Sequence, residues 1–137
     1  SAVGNTKISV LAKRLKKKQQ NLQNLVNKQV VQREMAQNKN VTDAKKIVKA
    51  VAGPLTLLEM WFSRLSPKIR KGLPKAAIED ATSRQERLRA LRDAWQNVLK
   101  GQPAPTGRDM NPEMALTEIK HAATNQRKLD MYITLAE

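Results

Sequence analysis

Apolar residues near the start of the chain recur at steps of three, four and seven, the spacing of one face of an α-helix. Projected at 100° per residue, they fall within an arc of about 140°. No glycine or proline interrupts the sequence between Gly4 and Gly53. The pattern therefore predicts an amphipathic helix over about residues 6–37. The apolar residues of its stripe are Ile8, Leu11, Leu15, Leu22, Leu25, Val26 and Val30.

Two signals predict shorter helices after this arm. Residues 38–46 (NKNVTDAKK) indicate a break and a restart, because Thr42 or Asn40 can cap a new helix and Asp43 favours its positive end. Gly53 and Pro54 then interrupt the second helix, and proline is acceptable at the first position of the next one. The segment PLTLLEMWFSRL is thus the most apolar predicted helix. Its core candidates are Leu55, Leu58, Trp61, Phe62 and Leu65.

The second half of the chain is helical in pattern as well. Residues 66–74 form a connector of about one turn ending at Gly72, and residues 74–100 have apolar residues at helical spacing. The sequence SRQE at residues 83–86 matches a capping box, which leaves open whether this segment is one helix or two. Residues 101–112 predict an exposed loop, because they contain two glycines and three prolines. Asn111 is expected to cap a last helix that opens at Pro112.

No segment alternates in the way a strand requires, so the prediction is an all-α fold. It has a long basic N-terminal helical arm, residues 1–40, followed by a compact bundle of three to four helices, residues 41–137. An arm of about 50 Å, at 1.5 Å per residue, exceeds the expected width of such a bundle. The apolar stripe of the arm is therefore expected to pack against a neighbouring subunit.

The distribution of charge along the chain is the strongest indication of function. The chain of 137 residues has a net charge of +14, and residues 1–50 contain 12 basic and 2 acidic side chains, a net of +10. Such an imbalance costs self-repulsion unless a polyanion relieves it. Most of the basic residues in the first fifty positions are lysines, and lysine binds phosphate as a point charge. The predicted nucleic-acid-binding residues are Lys7, Lys13, Arg14, Lys16, Lys17, Lys18, Lys28, Arg33, Lys45, Lys46 and Lys49.

Other classes of function have less support. The single histidine, His121, lies mid-helix, and no phosphate loop or metal-ligand spacing is present, so we predict no catalytic residue, metal or cofactor. Without cysteine, thiol chemistry is excluded, and no apolar run reaches the roughly 20 residues of a membrane span. Residues 1–60 contain no aromatic side chain on which bases of a single strand would stack. A membrane-surface helix and an adaptor for an acidic protein stay open.

The stretch KRLKKKQQNLQNLVNKQ, with helix punctuation at AGP, SPKIRKGLP and APTGRDMNP, resembles in organisation the major capsid proteins of filamentous and rod-shaped archaeal double-stranded DNA viruses. In that family, paired chains wrap DNA held in an A-like form inside a helical virion. The resemblance implies a virion location and a partner that is a second copy or a paralogous coat chain. It also implies that the residues along the DNA phosphates are Lys13, Arg14, Lys16, Lys17, Lys18 and Lys28. An RNA-virus nucleocapsid, or a cytoplasmic or nucleoid-associated cellular protein that binds nucleic acid without sequence preference, is the alternative.

Overall fold

A computed structural model of the chain describes the backbone of residues 2–137 and the side chains from Lys7 onward. Within that range it contains no strand, which confirms the all-α prediction. The four α-helices are α1 (Ala2–Ser63), α2 (Pro67–Gly72), α3 (Lys75–Leu99) and α4 (Pro112–Ala136), with a 3-10 helix at Gly107–Met110. The chain divides into two compact units, Ser1–Lys39 and Asn40–Glu137.

The predicted break at residues 38–46 is wrong, because α1 runs through it without interruption. Ala44 and Ile47 are fully buried in the hydrophobic core, three positions apart on one helical face. A restart at Asn40 or Thr42 would have to reorient the turn that carries both of them. Burial of this face therefore outweighs the local preference of polar residues for a helix cap.

The predicted interruption at Gly53 and Pro54 is also wrong, since Pro54 lies inside α1. An interior proline removes one backbone hydrogen bond and costs about 3 kcal/mol or more. Buried side chains lie on both sides of it and keep the helical spacing, with Val51 before and Leu55 and Leu58 after. Their packing into one continuous core offsets the cost of the proline.

Two helix ends of the bundle follow the sequence signals, and a third question is settled by the backbone. Helix α3 is a single helix, so the two-helix alternative suggested at residues 83–86 is not formed. Gly101 ends it with a φ of +88°, in the left-handed region that favours glycine. The Asn111 side chain accepts hydrogen bonds from the backbone N–H groups of Glu113 at 3.0 Å and Met114 at 3.2 Å. The predicted cap of the last helix is thus confirmed.

The core of the second unit is built around Trp61. This side chain is 1% exposed, and its Nε1 donates a hydrogen bond to the carbonyl oxygen of Leu129 in α4 at 2.8 Å. The Trp61 and Phe62 rings meet edge to face, with centroids 5.2 Å apart. Trp95 in α3 is equally buried, yet its Nε1 has no hydrogen-bond partner among the described residues. The two indoles therefore share burial but differ in hydrogen bonding.

Not every apolar residue of α3 and α4 reaches this core. Leu99 of α3 and Met114 and Met131 of α4 are 41%, 54% and 62% exposed. Gln126 is buried instead, and its Nε2 donates to Asp130 Oδ1 at 3.1 Å. The periodic pattern therefore locates each helix but not the limits of its buried face.

The two tryptophans allow a matched test of the buried hydrogen bond. Trp61→Phe should destabilise the protein more than Trp95→Phe, by about 1–3 kcal/mol, because it leaves the Leu129 carbonyl buried without its donor. Chemical denaturation followed by far-ultraviolet circular dichroism measures both variants. Equal losses of stability would show that the Trp61 hydrogen bond contributes nothing beyond packing.

Candidate nucleic-acid interface

The arm formed by residues 7–39 of α1 is exposed along its whole length. Eight of the eleven predicted binding residues lie on it, from Lys7 to Arg33. The remaining three, Lys45, Lys46 and Lys49, belong to the second unit and are exposed as well. All eleven side chains are thus accessible to solvent, as a phosphate-binding role requires.

The positive charge of the arm is not neutralised within the part of the chain that the structure describes. Residues 1–39 contain nine basic side chains and one acidic one, Glu34, a net charge of 9 − 1 = +8. None of the ion pairs formed between described residues involves a cation of the arm. Apart from the single charge of Glu34, the cations of the arm are therefore left without a compensating carboxylate among the described residues.

Several of these charges repel one another across a single helical turn. Lys13 and Lys17 stand four positions apart, as do Arg14 and Lys18, and the first turn of α1 contains no acid. Each such like-charge pair destabilises a helix by about 0.2–0.5 kcal/mol. A line of external negative charge would remove this penalty, whereas a single small anion would relieve only part of it.

The apolar stripe of the arm is exposed too. Its seven residues, Ile8, Leu11, Leu15, Leu22, Leu25, Val26 and Val30, are 45–66% exposed. Val10, Val31 and Met35 are exposed as well, but at 100° per residue they project to the side of the lysines. Exposed apolar surface of this kind is typical of sites that contact another protein or a membrane surface. Within the described residues, no other part of the chain buries it.

The helical repeat of the stripe does not stop at the end of the arm. At 100° per residue, the predicted stripe keeps the same phase as the core-forming side chains farther along α1. Those are Ala44, Ile47, Val51, Leu55, Leu58 and Trp61, all buried. Lys45, Lys46 and Lys49 alternate with them on the exposed side. One sequence repeat therefore forms core in residues 40–63 and open surface in residues 7–39.

A second group of charges is paired and serves the fold. Arg87 of α3 donates to Glu118 of α4, from Nε to Oε2 at 2.9 Å, and to Asp109 of the 3-10 helix, from Nη2 to Oδ1 at 2.7 Å. Arg108 Nη2 lies 3.4 Å from Glu118 Oε1. The hydrogen bonds from Arg87 lower the pKa of Glu118. This network cannot be predicted from local sequence, because Asp109 and Glu118 lie 22 and 31 positions after Arg87.

A metal site and a membrane-spanning helix are both absent from the residues that the structure describes. His121 is exposed on α4. Across residues 7–137, no group of three or more histidine, cysteine, aspartate or glutamate side chains could hold a metal ion. The described helices also include none long and apolar enough to span a membrane. Comparisons with protein-family models, curated proteins and solved structures found no match to this chain.

The lowered pKa of Glu118 predicts a pH dependence of stability. A carboxyl whose pKa is lower in the folded state stabilises the fold above its unfolded value of 4.5, and this contribution is lost as the pH falls through the folded value. Glu118→Gln should therefore lower the Tm at neutral pH, with a loss of about 1–3 kcal/mol, and should flatten the decline of Tm below pH 4.5. Glu86→Gln is the control, because Glu86 is exposed and forms no ion pair with a described residue. Superimposable pH profiles for the two variants would contradict the assignment.

Proposed function

We propose that this protein is a non-enzymatic structural protein that packages nucleic acid in an assembly with other copies of itself or with a related chain. The observation that carries the proposal is the arm, which presents uncompensated cations and an uncovered apolar stripe on one helix. Both surfaces call for a partner of a different kind. Phosphates suit the cations, and another protein chain suits the stripe.

The chemistry of the arm favours contacts to the phosphate backbone. A duplex carries about one negative charge per 1.7 Å of its axis, so an arm of about 50 Å can meet a long row of phosphates. Seven of its nine basic residues are lysines, and base readout in the major groove favours bidentate arginine. The absence of aromatic residues before Trp61 removes the stacking used on single strands. Double-stranded DNA is therefore the favoured polymer, with RNA as the alternative.

The stripe supports self-assembly. Pairing of two arms along their apolar residues would remove both stripes from water. It would leave most lysines free, since Lys13, Lys16, Lys17 and Lys28 project to the opposite side at 100° per residue. Residues 40–137 have their own core and need no second copy to bury it. A repeating assembly joined through arms would thus bring many basic surfaces to one polymer.

The organisation of the chain favours a capsid subunit of a filamentous virion as the setting. The support is the resemblance described for the sequence, namely a basic helical arm ahead of a small cysteine-free helical bundle. An RNA-virus nucleocapsid or a nucleoid-type protein would use the same two surfaces. Electron microscopy of the protein with and without duplex DNA separates a filament-forming coat from a nucleoid-type protein, because the coat should give regular filaments and the nucleoid-type protein dispersed monomers.

Binding to duplex DNA should be salt-sensitive and indifferent to sequence. With about eight phosphate contacts, log Kobs should fall against log salt with a slope of about −7. Replacing Lys13, Lys16 and Lys17 together by glutamine should reduce the magnitude of the slope by about 3, equally for unrelated sequences. Fluorescence anisotropy over a salt series measures this. A native slope near zero would refute packaging, and a loss confined to one sequence would indicate base readout.

Self-assembly should depend on the stripe. Leu15→Asn together with Leu22→Asn should abolish self-association and DNA-dependent filaments, while the thermal stability of the bundle stays native because both leucines are exposed. Sedimentation velocity with and without DNA provides the readout. Leu57→Asn with Met60→Asn is the matched control, since these apolar residues are exposed in the second unit. A native protein that stays monomeric under every condition would contradict the assembly.

A further inference from the structure

A second acid-free basic segment lies outside the arm. Between Glu59 and Glu79 the chain has five basic residues and no acidic one. Two of the five are engaged: Arg64 pairs with Glu137 at 3.0 Å, and Lys75 lies 3.7 Å from Glu79. The other three are exposed and form no ion pair with any residue that the structure describes. These three, Lys68, Arg70 and Lys71, are called the α2 basic patch.

The backbone beneath the α2 basic patch is held at both ends. At its start, the Ser66 hydroxyl accepts a hydrogen bond from the Ile69 N–H at 3.2 Å, and the Ser66 carbonyl accepts one from Arg70 at 2.9 Å. At its end, Leu73 is buried and Gly72 lies against the last turn of α4. A Cβ added at Gly72 would lie only 3.1 Å from the Ala136 Cβ. The patch is therefore presented from a short helix with a fixed position on the bundle.

The direction of the three side chains follows from the same packing. Ile69 is half-buried and packs against the core, which sets the inward side of α2. Its neighbours at 68, 70 and 71 stand about 100° or more away around the helix. All three cations consequently point to solvent, close together in sequence and on one rigid turn.

The stability of α2 does not explain all of these charges. Arg70 and Lys71 lie in its last turn, where a cation interacts favourably with the helix dipole. Lys68 lies in the first turn, where a cation is unfavourable, and no acid is present there to balance it. Like charges at positions 68 and 71 also repel each other across one turn. An external anion would offset both penalties.

We propose that the α2 basic patch is a second phosphate-binding surface, through which the bundle contacts the nucleic acid that the arm binds. This inference rests on the proposed function and adds a surface to it. Arg70 can hold a phosphate with two parallel N–H donors, and Lys68 and Lys71 supply further point charges on the same turn. When one polymer contacts both basic surfaces of a chain, each contact raises the effective concentration of the other.

Nucleic acid fits the patch better than an acidic surface of a second copy. Of the twelve acidic residues in the chain, six already form ion pairs within it. They are Glu79, Asp80, Asp93, Asp109, Glu118 and Glu137. A second copy therefore offers six carboxylates without an ion pair, spread along the chain from Glu34 to Asp130, whereas a duplex offers a continuous row of phosphates.

The test compares three charge-matched variants of the full chain on one random-sequence duplex DNA. The α2 variant is Lys68→Gln, Arg70→Gln and Lys71→Gln. The control variant on α4 is Lys120→Gln, Arg127→Gln and Lys128→Gln. The arm variant is Lys13→Gln, Lys16→Gln and Lys17→Gln. We expect the α2 variant to lose about 3 from the magnitude of the salt slope, as the arm variant does, while the α4 control keeps the native slope. All six residues of the α2 and α4 variants are exposed.

The outcomes separate this inference from the proposed function. A native slope in the α2 variant, with a reduced slope in the arm variant, would overturn the second surface and leave packaging intact. Equal reductions in the α2 and α4 variants would also overturn it, since they would reflect net charge alone. A native protein with no salt-dependent binding would overturn both.

Lysine acetylation of the native protein gives an independent readout that does not depend on a variant folding. Bound DNA should protect Lys68 and Lys71 from acetylation, measured by mass spectrometry, and should leave Lys120 and Lys128 reactive. Unchanged reactivity of Lys68 and Lys71 at saturating DNA would overturn the proposal.

Discussion

The face of α1 that runs from Ala44 to Trp61 and packs into the core is the interaction on which the remaining structure depends. Its burial holds the helix together through Pro54 and keeps it continuous through capping signals that would otherwise end it. Because the buried side is set, Lys45, Lys46 and Lys49 are turned to solvent. The hydrogen bond from Trp61 to the Leu129 carbonyl then joins this face of α1 to α4.

Charge is handled differently in the two units. In the bundle, Arg87 is matched by two carboxylates, and the resulting network ties α3 to α4 and to the 3-10 helix before it. In the arm, Glu34 is the only acid among nine basic residues. The paired charges of the bundle stabilise the fold, whereas the unpaired charges of the arm stay accessible to another molecule. This difference in compensation, more than the total of +14, distinguishes the arm from the bundle.

Much of the fold followed from local rules, and the failures came from interactions distant in sequence. Asn111 before Pro112 and the glycine at 101 located helix boundaries because a cap and a left-handed turn depend on a few adjacent residues. Continuity through Pro54 depends on burial of Val51, Leu55 and Leu58 in the shared core, and the Arg87–Glu118 pair depends on contact between two helices. Periodicity describes neither of these interactions. The acid-free run that contains the α2 basic patch can be read from the sequence. Its fixed position depends instead on the packing of Gly72 against Ala136.

The continuous phase of the α1 repeat has a consequence for synthesis of the chain. A ribosome completes α1 before α3 and α4, so for a time the stripe of residues 8–30 and the core face of residues 44–61 are equally uncovered. Either half could then pair with a neighbouring nascent chain. Once α3 and α4 fold back, only the N-terminal half stays open. The later helices thus cover one half of the repeat and leave the other half exposed.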